Sequence, residues 1–375
     1  MDRTDSVGQL WYIPGNVDQV NSPALMIFPD RIRENISRMI DMAGDVKRLR
    51  PHVKTHKMAE VVKMQTDQGI YKFKCATIAE AEMIAAGGGR DILLAIQPAG
   101  PNIERFFRLK REFSEVKISC IADSEDIILR LSDLAVRTGL ETSVWLDINN
   151  GMNRTGISPG DEALRLMNLI NDLPMIKAGG LHVYDGHIHD KDFSQRQDVC
   201  NEAWLPVKHF IERLKKAGMD NPDIIAGGTP TFPVHVLREE VDCSPGTVIL
   251  WDYSYSHSYA DMNFLHAAVL LSRVISKPAK DLICVDLGTK AIASEMPQPR
   301  VKILNIENYK IIGQSEEHLV IETPEASGFK VGDPVYHIPW HICPTVDRHD
   351  VVSVVEEGMV IGQWSVTARR RKINI

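Results

Sequence analysis

Between about Ser22 and residue 252, short apolar runs alternate with stretches whose apolar positions recur at helical spacing. ALMIFP reads as a strand, and DRIRENISRMIDMAG as a helix that Asp30 could cap. VKRLRPHVKTHK follows as strand and loop, then MAEVVKMQTDQG as helix. The rhythm continues through YKFKCAT and IAEAEMIAAGG, DILLAIQP and GPNIERFFRLKREF, VKISCIAD and SEDIILRLSDLAVRTG. TSVWLDIN, MIKAGGLHVY, DIIAGGTP and TVILWDY each read as a strand. Roughly eight strands, most with a helical partner, predict an α/β domain over residues 24–252, and the count favours a (β/α)8 barrel over a doubly wound sheet.

After about Tyr253 the pattern changes. AAVLLSRVISKPAKDLICVDLG, YKIIGQSEEHLVIET, FKVGDPVYHIPW, DVVSVVEEGMVIGQWSV and ARRRKINI are strand-like, with tight polar turns and little helical periodicity. Residues 253–375 are expected to form a C-terminal, mainly antiparallel β domain. The polar insertions Asp286–Lys290 and Ser315–His318 read as ordinary turns.

Composition narrows the partner classes. The 375 residues are 44% hydrophobic and 25% charged, with 43 basic against 50 acidic side chains and a net charge of −7. A mildly acidic chain without a long Lys/Arg run argues against nucleic acid or an anionic membrane as main partner. No apolar run approaches the ~20 residues a membrane span needs, and MDRTDSVGQLWYIPGN lacks the apolar core of a signal peptide. Six scattered cysteines without a CxxC pair fit reduced thiols in a cytoplasmic protein.

Four segments could carry chemistry. RLRPHVKTHK crowds Arg50, Lys54 and Lys57 with His52 at the C-terminal end of an expected barrel strand, where such barrels hold their active sites. A lysine among cations is disfavoured as ammonium and available as a nucleophile, and His52 and Lys54 would share one side of an extended strand; a solvated basic loop is the plainer alternative. IAGGTP (225–230) and SPGT (244–247) could bring backbone amides and the Thr229 hydroxyl to a phosphate at the last barrel strands. In LHVYDGHIHD, His182 and Tyr184 share a strand face, while His187 and His189 fall in the loop beyond, available for substrate or metal contact. Last, His341 and Cys343 in HICPTV would project to one side of an extended backbone. Imidazole and thiolate suit a borderline-soft ion such as zinc, and two donors leave coordination positions open for water or substrate. A buried strand would also accommodate such a pair.

Taken together and in order, RPHVKTHK, CATIAEAE, LDINNGMNRTG, YDGH, GGTPT, SPGT and HICPTV resemble the D-threonine aldolase and D-serine dehydratase family, pyridoxal 5'-phosphate enzymes of the alanine racemase fold type. The resemblance spans essentially the whole chain. It implies that Lys54 forms the Schiff base with the cofactor, and that His341 and Cys343 bind a divalent metal, zinc or manganese, near the substrate β-hydroxyl. It implies further that Gly228, Thr229, Ser244, Gly246 and Thr247 hold the phosphate. Tyr184 would line the pyridine face, with Arg154 close to the ring or its phenolic oxygen. Residues 1–23 would join the β domain of a homodimer. The implied reaction is cleavage of a D-β-hydroxy-α-amino acid to glycine and an aldehyde, with His52, His187 or His189 as base. Two departures bear on this. Family aldolases commonly carry His-x-Asp where this chain has His-x-Cys, the pattern of zinc-dependent D-serine dehydratase, and a tyrosine common after the phosphate loop is Val248. Elimination from D-serine or D-3-hydroxyaspartate is therefore the alternative. A racemase would gain nothing from a metal at the β-position, and single-barrel cofactor carriers lack the β domain.

Overall fold

The computed structural model describes residues 10–219 and 221–375. Its strands are β1 (Ala24–Ile27), β2 (Lys72–Cys75), β3 (Asp91–Leu94), β4 (Lys117–Ala122), β5 (Thr142–Ile148), β6 (Ile176–Val183), β7 (Ile224–Ala226) and β8 (Val241–Cys243). They continue as β9 (Ala268–Ala279), β10 (Leu282–Val285), β11 (Val301–Ile303), β12 (Lys310–Gln314), β13 (Leu319–Glu322), β14 (Pro334–Pro339), β15 (Val351–Glu356) and β16 (Met359–Ser365). β2 to β8 form one parallel sheet in sequence order. Residues 49–52 complete the barrel without becoming a regular strand. Leu49 bridges Cys243 of β8 and His52 bridges Lys74 of β2, both parallel. Arg50 N–H donates to Cys243 O, and Lys74 N–H to Pro51 O, each at 2.9 Å. Pro51 has no N–H to offer a ladder, which explains why the expected strand is reduced to bridges.

The barrel is filled from within. Trp145 of β5 packs with Leu93, Ile121 and Ile225. It fits because β6 carries Gly179 and Gly180 opposite it: a Cβ on Gly179 would lie 2.5 Å from the indole nitrogen. Gly180 has φ +130° and sits where the β5–β6 register shifts, a conformation open to glycine. Beside Trp145, the buried Arg50 pairs with Asp91 at 2.8 Å and Asp242 at 3.6 Å.

β1 does not belong to the barrel. It pairs antiparallel with β9 and parallel with β15, in the second sheet of order β12-β13-β10-β9-β1-β15-β16, to which β14 joins through β9 and β11 through β14. An apolar strand is needed at both places, so pattern alone could not assign it. Trp11 and Tyr12 meet Phe28 and Tyr336 edge to face, packing the segment before β1 against this sheet; residues 1–9 lie outside the described residues. Three further expectations differ. Thr247–Ile249 and Tyr253–Ser258 are a 3-10 turn and a helix where TVILWDY suggested a strand, and Ile342–Val346 is a short helix. ARRRKINI forms no strand beyond a 3-10 turn at Thr367–Arg369. The two polar insertions dock on each other: Thr289 N–H donates to Ser315 O, and a Cβ on Gly288 would fall 1.9 Å from Glu316 O.

Candidate active site

Lys54 lies in the 3-10 turn Val53–Thr55, directly after the barrel-closing segment, so it does not alternate with His52 along a strand. His52 is the cap of that turn: its Nδ1 accepts the Lys54 N–H at 3.2 Å. Burial, then the charges of Lys54 and Lys74, hold the His52 ring well below the ordinary histidine range. A neutral ring accepting at Nδ1 carries its proton on Nε2, so His52 presents a donor. The cations expected around Lys54 are disposed differently. Arg50 is engaged inside the barrel as described, and Lys57 pairs with the buried Glu80 at 2.5 Å. His56, whose Nδ1 accepts Met58 N–H, is pushed by burial down to about 3.

The charges that do converge are different. Lys54 Nζ lies 5.6 Å from the Tyr184 ring centroid, Lys74 Nζ also 5.6 Å, and the Arg154 guanidinium 4.8 Å. Three cations from the 53–55 turn, β2 and the loop after β5 thus surround one ring at the end of β6. Gly228 makes room for that ring, since a Cβ there would approach Tyr184 Cε2 to 3.1 Å. Below it, Asp147 is hydrogen-bonded to His182 Nδ1 at 2.6 Å, and Asp185 accepts from Thr231 at 2.8 Å and from His235 at 2.7 Å. Asp185, Cys200 and His235 could between them offer three metal donors within 4.8 Å. Their hydrogen-bonding capacity is already spent on one another, on Thr231 and on Arg238, which donates to His235 Nδ1 at 3.1 Å.

The glycine and hydroxyl loops meet as expected, with roles more specific than a common cradle. Thr229 Oγ1 accepts the N–H groups of Gly246 and Thr247, both at 3.1 Å, and so locks the second loop onto the first. Ser244 Oγ is buried with no partner, and a Cβ on Gly246 would come within 2.9 Å of His52 O. An orphaned hydroxyl, backbone approach reserved by glycine and a ring of cations are what a group bearing a phosphate and a ring oxyanion requires, so the residues present fit pyridoxal phosphate.

From the β domain, His341 caps the helix Ile342–Val346, and Cys343 lies in that helix's first turn. The extended backbone expected there is confined to His341, yet the imidazole and thiol still act on each other electrostatically. Cys343 Sγ is 3.2 Å from Thr55 Oγ1, beside Lys54, and 3.7 Å from Thr247 Oγ1. Burial would raise the thiol; His341, Thr55 and Lys54 outweigh it and lower it. Burial would lower the imidazole, but Cys343, Glu295 and Asp252 raise it to about 9. An imidazole and a thiol side by side, the thiol holding its proton less tightly than usual, fit a divalent metal. Glu295 Oε1, 2.5 Å from His341 Nδ1, leaves Nε2 as the free ligand atom. Asp252 joins the halves of the site: one oxygen accepts Tyr255 N–H and the other Ile342 N–H, and burial raises it to about 6.

Of the loop histidines, His187 faces Gly151, with its Nδ1 buried and unpartnered. His189 is exposed and has no hydrogen bond to these groups among the described residues. Lys74, Glu295 and Asp252 were missed from sequence. Each stands alone in an unremarkable strand or loop, and only the inward face of β2 could have hinted at Lys74.

The chain matches the family model of the alanine racemase N-terminal domain over residues 27–249, and a serine dehydratase domain model over 267–355. It is 27% identical to a D-threonine aldolase from Arthrobacter sp., covering 95% of both chains. Identity to a 3-hydroxy-D-aspartate aldolase from Paracoccus denitrificans is 28%, covering 95% of this chain and 94% of the relative. Among solved structures, a D-threonine aldolase from Filomicrobium marinum superposes with a TM-score of 0.86 at 25% identity, over 95% of this chain and 97% of that one.

Proposed function

Since the chain belongs to the family of the alanine racemase N-terminal domain, we propose that it is a pyridoxal-phosphate- and divalent-metal-dependent lyase that cleaves a D-configured β-hydroxy-α-amino acid to glycine and an aldehyde. The observation that carries this reading is the contact between domains: Cys343 of the β domain lies 3.2 Å from Thr55, the residue next to Lys54. It brings a soft cation-binding pair to the amine that a racemase would use without one. The relatives named above act on D-amino acids with a β-hydroxyl.

Lys54 would hold the cofactor through its amine, Tyr184 would pack on the ring, and Arg154 would meet its oxyanion. The hydroxyls of Ser244 and Thr247 would hold the phosphate, with Gly246 giving close backbone approach, on a loop that Thr229 and Gly228 support. His341 Nε2 and the Cys343 thiolate would hold zinc or manganese, the thiolate favouring zinc. Bound there, the cofactor supplies an electron sink at Cα and the ion a Lewis acid at the β-hydroxyl. His187, whose buried Nδ1 is unpartnered, would take the β-hydroxyl proton and so favour cleavage of Cα–Cβ. His52 would donate from Nε2 and orient the substrate, and the exposed His189 would act only at the entrance.

The second reading is elimination of water from the same substrate class, in which Lys54 takes the Cα proton. It is favoured by Cys343 and by the serine dehydratase domain match. We further propose a cytoplasmic homodimer. No helix among the described residues is long and apolar enough to cross a membrane. Incubation with D-threonine, D-serine and D-3-hydroxyaspartate, with and without chelator, tests the reading. Chelator-sensitive aldehyde and glycine are expected; ammonia without aldehyde selects elimination, and chelator-resistant racemisation refutes both.

A further inference from the structure

The mouth of the barrel holds one amine more than this chemistry uses. Lys74 ends in β2, beside the segment that leads to Lys54, and its side chain is buried at 2% exposure. Every group facing it is accounted for. Lys54 and His52 approach from the barrel-closing segment, with Arg50 deeper on that segment; Asp147 comes from β5, and His182, Tyr184 and Asp185 from β6 and its end. Asp147 is held by His182, and Asp185 by Thr231 and His235. The two carboxylates therefore act on Lys74 from a distance, and no ion pair to it occurs among the described residues. A buried ammonium without its own counter-ion is destabilising unless the working protein puts an anion against it. The loops assigned to the phosphate above, at Gly228 and Ser244–Thr247, follow β7 and β8 and meet Tyr184 and His52 rather than Lys74 itself. The anion facing Lys74 and Arg154 across Tyr184 is then the one on the ring.

Resting on the lyase reading above, we propose that Lys74 is a second cofactor-binding amine, which together with Arg154 holds the anionic ring oxygen of pyridoxal phosphate. In the cofactor-free chain, burial and the charge of Lys54 lower its ammonium to about 7; an anionic ring oxygen set against it raises that value and keeps the amine charged. Near the ring, that charge opposes a further proton on the nitrogen joined to Lys54.

The test uses the full chain loaded with pyridoxal phosphate, reading visible absorption between pH 6 and 10 in the wild type, Lys74→Met, Lys74→Gln and Lys74→Arg. The uncharged variants should keep the band and the cofactor stoichiometry, while the pH at which the band changes rises by about one unit. Lys74→Arg should titrate as the wild type does. Titration of both uncharged variants within error of the wild type would overturn the proposal and leave Lys74 a structural residue. Loss of cofactor in the uncharged variants that Lys74→Arg restores would support it; loss in all three would overturn it. A wild type with no visible band would instead remove the lyase reading, and this proposal with it.

Discussion

Two buried cations of one barrel, Arg50 and Lys74, have the same 2% exposure and opposite surroundings. Arg50 sits deep against Trp145, with Asp91 at 2.8 Å and Asp242 at 3.6 Å; Lys74 sits at the mouth against Tyr184, with two other cations around the same ring and no paired carboxylate. A buried charge with good partners is structural, and removing one partner is costly. A buried charge without partners works against folding, and its presence points to a ligand or a reaction. The difference separates the half of the barrel that holds the fold from the half that does chemistry.

The largest expected effect is at the mouth. Lys54→Ala should abolish the visible absorption of the reconstituted protein; a retained band would transfer the covalent role to Lys74. Next, Arg50→Met should destabilise the chain by about 1–3 kcal/mol, because Asp91 loses its nearer partner while Lys117 stays against it and Lys72 against Asp242. The shift of the denaturant midpoint checks it. The pair also has a pH signature. Burial alone would raise Asp91, but Arg50 and then Lys117 outweigh it and lower it. Its contribution is present above the ordinary carboxylate range and is lost as pH falls through the lowered value. Asp91→Asn should therefore flatten acid unfolding.

Lys74→Met should do the opposite of Arg50→Met and raise the melting temperature of the cofactor-free protein. The ordinary lysine value is 10.5 and the folded one about 7. Below 7 both folded and unfolded chains carry the proton, so the full burden of burial is felt. Between 7 and 10.5 only the unfolded chain does, and wild-type stability rises by at most about 1.4 kcal/mol per pH unit. The advantage of Lys74→Met should thus be greatest below pH 7 and vanish above 10.5; a gain independent of pH would mean that packing, not charge, is responsible. The smallest effect belongs to an exposed cation. Lys290, bridging Glu316 and Glu317 at 3.0 Å, is open to solvent, and Lys290→Ala should leave the denaturation midpoint unmoved.

Much of the candidate site was legible before folding because its residues are local in sequence: Lys54 beside His52, the glycine and hydroxyl loops, and the His341–Cys343 pair are each held within a few residues. The charge argument around Lys54 was not. Sequence neighbours Arg50 and Lys57 turn away to Asp91 and Glu80, while Lys74 and Arg154, 20 and 100 residues distant, turn inward.

The sequence by itself determined the alternation of apolar and helical segments that makes a barrel, the change to antiparallel strands after it, and the residue types of a lysine amine, two glycine and hydroxyl loops and a His–Cys pair. Local periodicity encodes these, and each needs only near neighbours. Only the tertiary structure decided that β1 leaves the barrel for the second sheet, that Asp252 ties the His341–Cys343 loop to the barrel, and that Tyr184 is the ring on which three cations meet. Those outcomes depend on which surfaces remain to be covered once the strands have paired, and that is a property of the assembled barrel.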